Sequence, residues 1–332
     1  MSQGSRTNNK EWAKPRIVVS RCLGFDSCRW NGASIPDPFV DALKPFVEYV
    51  TVCPEVEIGL GVPRNPIRIV SAGGEMSLVQ SGTGLDVTES MRAFAEKFLG
   101  ALGPVDGFIL KGRSPSCGIK DTKVYPAMGQ VSALGTTAGF FGKAALERFP
   151  DLAVEDEGRL NNERIWDHFL KRIFTSAAYR KIEETGSLND LISFHSKNKF
   201  LIMSYSQKAL RTLGRIVANR EHKEIGALRA EYGANLRAAM SKIPRPPANI
   251  NVAMHMLGYF SEELIAPEKD YFLSTLEMYR EERLPLSVPV SLLRSWAIRF
   301  GQQYLLEQTF LEPYPQELLG VIPKGFARDI KR

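Results

Sequence analysis

Four cysteines, Cys22, Cys28, Cys53 and Cys117, lie in the first half of this 332-residue chain, and all four histidines, His168, His195, His222 and His255, lie in the second. Thiols are soft donors and, once deprotonated, nucleophiles. Structural zinc sites pair their ligands as Cys-x₂₋₄-Cys, and the nearest approach to that spacing is Cys22-x₅-Cys28. An iron–sulfur cluster is larger and takes thiolates from separate loops. Three thiolates on a four-iron cluster leave one iron open, a Lewis acid for a soft sulfur atom. Spacing alone leaves three readings standing: a cluster, a lone nucleophile and incidental thiols.

The surrounding elements decide whether the thiols can meet. Three short β-branched or apolar runs, Arg16–Ser20, Val47–Val52 and Gly107–Leu110, each lead toward a cysteine. Helical patterns at 38–45 and 86–99 lie between them, the second with Asp86 as its expected N-cap. Strands alternating with helices predict an α/β domain with a largely parallel sheet. The carboxyl ends of parallel strands share one edge, where ligands bind, and Cys22, Cys53 and Cys117 would converge there. The glycine pairs at Ser71–Gly74 and Gly82–Gly84 lack dinucleotide-binding spacing and read as turns.

Beyond Asn161 the periodicity becomes helical. Ile165, Trp166, Phe169, Ile173 and Phe174 suggest a connector helix, and further helical stretches follow at 188–220, 222–241, 249–282 and 289–308. The expected fold is an α/β N-terminal domain followed by an all-α C-terminal domain. Its expected divisions are an arm at 1–14, the cysteine domain at 15–158, a connector at 159–187, a helical domain at 188–320 and a basic tail at 321–332. His195, His222 and His255 lack ligand spacing and are read as packing or solvated side chains.

The net charge of +6 is unevenly placed. Residues 1–160 carry 18 Lys/Arg and 18 Asp/Glu, whereas residues 161–332 carry 25 and 19. A neutral chemical half joined to a basic half suits a polyanionic substrate, although basic residues along helices also serve as ordinary solvated surface. No stretch approaches the ~18–20 apolar residues of a membrane span. The first dozen residues lack the apolar core of a secretory signal, so the expected location is cytoplasmic, with reduced thiols.

Taken in order, Ser20-Arg-Cys-Leu-Gly24, Cys28-Arg-Trp-Asn-Gly32, Cys53-Pro-Glu55, Val62-Pro-Arg64, Asp86-Val-Thr88 and Lys111-x-x-Ser-Pro-Ser-Cys-Gly118 resemble the thiouracil desulfidase (TudS) family. The resemblance implies a [4Fe–4S] cluster with one iron not ligated by protein, held by Cys22, Cys53 and Cys117, and non-redox removal of sulfur from a thiopyrimidine. Cys28 is not assigned as a ligand. Glu55 is implied as general base and acid, and Ser114 as a group that orients the ring or relays a proton. The family often has Arg-Tyr-Asp-Gly where this chain has Arg29-Trp30-Asn31-Gly32, and an amide at Asn31 does not titrate near neutral pH. Arg29, Arg64, Lys111 and Arg113 are candidate contacts to phosphate or base carbonyls.

Residues 188–318 resemble the YbgA-type helical domain through Phe194-His195-x₃-Lys199-x₃-Met203, Leu213-Gly214-Arg215, Leu286-Ser-Val-Pro289 and Gln308-Thr-x-Leu-Glu-Pro-Tyr-Pro315. A TudS-like domain followed by this one resembles the RudS desulfidases, which implies 4-thiouridine in tRNA as substrate and the helical domain as the RNA grip. Lys197, Lys199, Lys208, Arg211 and Arg215 are its candidate RNA contacts. Desulfuration of free thiouracil is the competing enzymatic reading. A cluster-bearing nucleic-acid binder or sensor without turnover is the competing class.

Overall fold

The computed structural model describes residues 11–319, so the expected basic tail at 321–332 and most of the arm at 1–14 lie outside the described residues. The N-terminal region runs β1 (Arg16–Ser20), α1 (Pro38–Leu43), β2 (Glu48–Val52), a single-turn α2 (Pro54–Glu57), β3 (Ile67–Ala72), β4 (Glu75–Gln80), α3 (Thr88–Ala101), β5 (Gly107–Leu110), β6 (Thr122–Tyr125), β7 (Gly135–Thr137), α4 (Phe140–Arg148) and β8 (Ala153–Asp156). One sheet has the order β2-β1-β5-β8, with every pairing parallel. The chain leaves β1 for β2 on one side and later returns to β5 on the other. The carboxyl edge of β1 and β5 is therefore a switch point, where the loops part and a ligand can enter.

Strand alternation explains the layering. Ile17 and Val19 of β1 face a core built with Phe39, Leu43, Trp166, Phe169 and Ile173. Val18, between them, faces Met91, Ala95, Leu99, Phe141 and Ala145 on α3 and α4. Both faces of the sheet are covered, as a parallel sheet requires.

Beyond the expected parallel sheet the chain forms a second one, β4-β3-β6-β7, that no apolar run announced. Its β3–β4 hairpin turns at Gly73 and Gly74, both with positive φ, and only the β3–β6 pairing is parallel. The glycines punctuated residues that read as turns, and the flanking strands carry too many polar residues to stand out as apolar runs. Helix α3 also starts later than expected. Asp86 accepts the Thr88 N–H at 2.8 Å, but its own backbone bridges to Val79, which holds it in the sheet rather than at the cap.

The C-terminal half contains α5 (Glu163–Thr185), α6 (Leu188–Tyr205), α7 (Gln207–Ala218), α8 (Ile225–Ala239), α9 (Pro246–Leu257), α10 (Ala266–Arg280), α11 (Ser287–Arg299) and α12 (Gln303–Leu306). The expected stretch at 188–220 is two helices because Ser206 is extended and caps α7, accepting the Ala209 N–H at 3.1 Å. Helix α5 belongs to both halves. Its Trp166, Phe169 and Ile173 enter the core under the parallel sheet, whereas Tyr179 enters a separate all-helical core with Leu191, Phe194 and Tyr232. Among the described residues, no helix is long and apolar enough to cross a membrane.

Candidate active site

Cys22 follows β1 by two residues, Cys53 follows β2 directly and Cys117 lies in the loop after β5, so three adjacent strands present three thiols at one sheet edge. The edge is tied together by backbone and side-chain bonds. The Arg21 N–H donates to the Val52 carbonyl at 2.8 Å, and the Lys111 N–H donates to Ser20 Oγ at 2.8 Å.

The loop carrying Cys117 is gripped by the start of α4. The Gly139, Phe140 and Gly142 N–H groups donate to the carbonyls of Gly118, Pro115 and Ser116 at 2.7, 3.0 and 3.0 Å. This approach needs glycine. A Cβ at Gly139 would lie 2.6 Å from the carbonyl oxygens of Ser114 and Ser116, closer than any side chain tolerates.

Cys28, Cys53 and Cys117 are buried, and Cys22 is half-buried. The neighbouring Cys22 thiol, and after it burial, raise Cys28 to about 11, with Cys53 acting the other way. Cys53 is pushed up further, first by its bond with Cys28 and then by burial. Burial raises Cys117 to about 12, against hydrogen bonds from Ser20 and Ser116 that favour its thiolate. Cys28, Cys53 and Cys117 are thereby kept neutral until a cationic group draws off their protons. Soft donors delivered from separate loops suit a polynuclear cluster. Among the described residues, no three His, Cys, Asp or Glu side chains close around a single ion.

Beside the thiols lies a polar relay. Glu55, on the turn after Cys53, accepts from Arg64 Nε at 2.8 Å and from Ser116 Oγ at 2.8 Å, on different oxygens. Ser116 and Ser114 share a hydrogen bond at 2.9 Å, and Ser114 Oγ accepts the Cys117 N–H at 3.1 Å. The chain Cys117 N–H, Ser114, Ser116, Glu55 is therefore continuous. Reading the residues singled out Glu55 and Ser114 but passed over Ser116, the hydroxyl that touches the carboxylate. Its only sequence signal was its place between Ser114 and Cys117.

The cationic candidates separate by what they touch. Arg64 is wholly engaged: besides Glu55, its Nη1 donates to the Cys28 and Gly61 carbonyls at 3.0 and 2.8 Å. It positions the carboxylate and is spent for any external phosphate. Lys111 pairs with Glu157 and donates to the Gly112 carbonyl. Arg113 is exposed in a left-handed turn, φ 59°. Arg29 is half-buried beside Cys28. Asn31 serves a turn, its Oδ1 accepting the Ala33 N–H at 3.2 Å.

In the helical half, Lys197 is 3.8 Å from Glu307 and Lys199 lies over the Phe200 ring. Lys208, Arg211 and Arg215 are exposed on α7 at i, i+3 and i+7, one helical stripe, and none pairs with a carboxylate among the described residues. His195 bonds the buried Tyr232 hydroxyl at 3.1 Å. A cavity lined by Asp106, Arg172, Tyr179 and Arg237 opens at the opposite end of the strands and gathers none of the thiols.

Two family models match separate parts of the chain. Residues 17–157 match the family model described as 2-thiouracil desulfurase, and residues 199–315 match DUF1722, a protein family of unknown function. The chain is 25% identical to the uncharacterized protein YbgA of Escherichia coli (strain K12), over 47% of this chain and 94% of the relative. It is 36% identical to the uncharacterized protein YbbK of Bacillus subtilis (strain 168), over 31% of this chain and 72% of the relative. A solved structure, the [4Fe-4S]-dependent thiouracil desulfidase TudS, is 33% identical over 44% of this chain and 93% of that one, with a TM-score of 0.35. The chain belongs to the 2-thiouracil desulfurase family through residues 17–157, and a YbgA-type helical domain is fused behind them.

Proposed function

We propose that this protein is a [4Fe–4S]-dependent desulfidase that converts 4-thiouridine in tRNA to uridine. Residues 15–158 would do the chemistry and residues 188–320 would hold the RNA. The observation that carries the reading is the carboxylate of Glu55, fixed between Arg64 and Ser116 at the edge where three strands deliver Cys22, Cys53 and Cys117. Ligands alone would serve a sensor; an oriented carboxylate with a hydroxyl relay serves turnover. A cluster bound by these three cysteines would supply a thiophilic iron, open to substrate, that makes sulfur a leaving group.

The reaction balances without electrons: C4=S and water become C4=O and hydrosulfide, with one proton released. Glu55 takes a proton from water as the oxygen attacks C4, then returns it to the departing sulfur. Ser116 holds the carboxylate in plane, and Ser114 passes its hydrogen bond along to Ser116 or orients the ring. Arg64 keeps the carboxylate from swinging toward the thiols.

The tRNA reading rests on the second domain. Lys208, Arg211 and Arg215 offer an unpaired basic stripe suited to a phosphate backbone. The target base must be drawn out of its stack to reach the thiol edge, and a second grip steadies the RNA meanwhile.

The test is anaerobic purification with iron and sulfide analysis, followed by incubation with thiolated tRNA and with free 2- and 4-thiouracil. Loss of 4-thiouridine from tRNA by the full chain is the expected result. Iron-loaded protein that leaves every thiolated substrate intact would refute desulfidase activity. Turnover of free bases alone would refute the tRNA assignment.

A further inference from the structure

Trp30 is 44% exposed, although three backbone hydrogen bonds tie down its loop. The Arg64 N–H donates to its carbonyl at 2.8 Å, the Gly32 N–H donates to the Arg29 carbonyl at 2.9 Å and the Arg29 N–H to the Ala33 carbonyl at 3.3 Å. Exposure here is a property of a fixed backbone. Trp166 and Trp296, by contrast, are buried, and Trp12 packs edge-on against Phe174. Two residues before Trp30, the Cys28 carbonyl accepts from the Cys53 thiol and from Arg64. The stretch that closes the thiol group therefore also carries the indole.

Around this edge Arg21 pairs with Glu57, Arg64 with Glu55 and Lys111 with Glu157. Among the described residues Arg29 and Arg113 have no carboxylate partner, and of the two Arg29 is the half-buried one that adjoins Trp30. Val62, also exposed, lies against the same loop; a Cβ at Gly32 would be 3.9 Å from its Cγ1. An aromatic plane, an apolar rim and an unpaired guanidinium beside a catalytic edge are the elements that hold an unstacked nucleotide.

We propose that Trp30 and Arg29 form the nucleotide seat of this site, with the indole stacking on the extruded thiolated base and Arg29 holding an adjoining phosphate. This deepens the tRNA reading and rests on it. It also gives a source of discrimination: a free base can use Trp30 but has nothing for Arg29 to hold.

The test uses the full chain, with cluster for kinetics and without it for binding. Trp30→Ala should raise KM for thiolated tRNA roughly tenfold or more, with Trp30→Phe recovering most of the loss. Arg29→Gln should raise KM for tRNA by a larger factor than KM for free 4-thiouracil. In cluster-free protein, uridine 5′-monophosphate should quench tryptophan emission, and Trp30→Phe should remove that quenching. Wild-type KM values for Trp30→Ala on tRNA that the parent desulfurates would overturn the seat while leaving the tRNA reading intact. A parent that spares tRNA would sink that reading instead, and Trp30 would still be judged by its KM on free base and by the quenching.

Discussion

Two nitrogens of Arg64 converge on one oxygen of Glu55, Nε at 2.8 Å and Nη2 at 2.7 Å, which leaves the other oxygen to the Ser116 hydroxyl. Both partners are almost wholly out of solvent, so the pair is worth more as a positioning device than as a source of stability. Breaking it by removing one charge strands the other. Arg64→Met should therefore destabilise the fold by about 3 kcal/mol and suppress turnover. Denaturant unfolding of the variant checks the first, and kinetics on reconstituted protein check the second.

Glu55→Gln tests the acid–base role without emptying the site. The amide still receives one hydrogen bond, and the cysteines are untouched. Iron and sulfide content should match the parent, whereas kcat should fall by about 10²–10⁴. An unchanged kcat would remove the role.

Ser116 and Ser114 should separate in strength. Ser116→Ala frees one oxygen of Glu55 and leaves a buried acceptor short of a partner, a cost of about 1–3 kcal/mol. Ser114→Ala leaves Glu55 bonded at both ends and should lower kcat less. Comparing the two kcat values decides which hydroxyl serves the carboxylate.

His168 makes stability depend on pH. It is buried on α5 beside Tyr205, and burial, with Arg172 and Lys171 adding to it, lowers its pKa to about 4. An unfolded histidine titrates near about 6.5, so between these values the unfolded chain binds the extra proton. The stabilisation is complete above pH ~6.5, declines as pH falls and is gone below ~4, a loss of up to roughly 3 kcal/mol. His168→Gln should flatten this part of the stability–pH curve, as read by thermal melts across the range.

For α7, neutralising Lys208, Arg211 and Arg215 together should weaken tRNA binding across all sequences. The slope of log affinity against log salt should flatten by about one unit for each phosphate that the helix no longer neutralises. Binding titrations at several salt concentrations measure it, and an unchanged slope would move the RNA grip off this helix.

Two of the strands that deliver the cysteines were legible because a parallel strand buried on both faces carries an uninterrupted apolar run. Arg16–Ser20 and Gly107–Leu110 coincide with β1 and β5. The second sheet was not, since Glu75, Ser77 and Gln80 interrupt β4 with polar residues. Glu55 and Ser114 could be singled out beside the cysteines. The assignment of Arg64 to Glu55 rather than to a substrate could not, because nothing in the spacing of two residues nine apart says that they face each other. Ser206 ended a helix that periodicity would have carried through, since a capping serine and an ordinary helical serine have the same letter.

Helix α5 gives the molecule a gauge. It is one continuous element of 23 residues, roughly 35 Å long, rooted at one end under the parallel sheet and at the other in the helical core. The helical phase between the thiol edge and the basic stripe is thus counted in residues. One residue inserted near its middle would turn one end against the other by about 100°, whereas seven would restore the phase while adding about 10 Å.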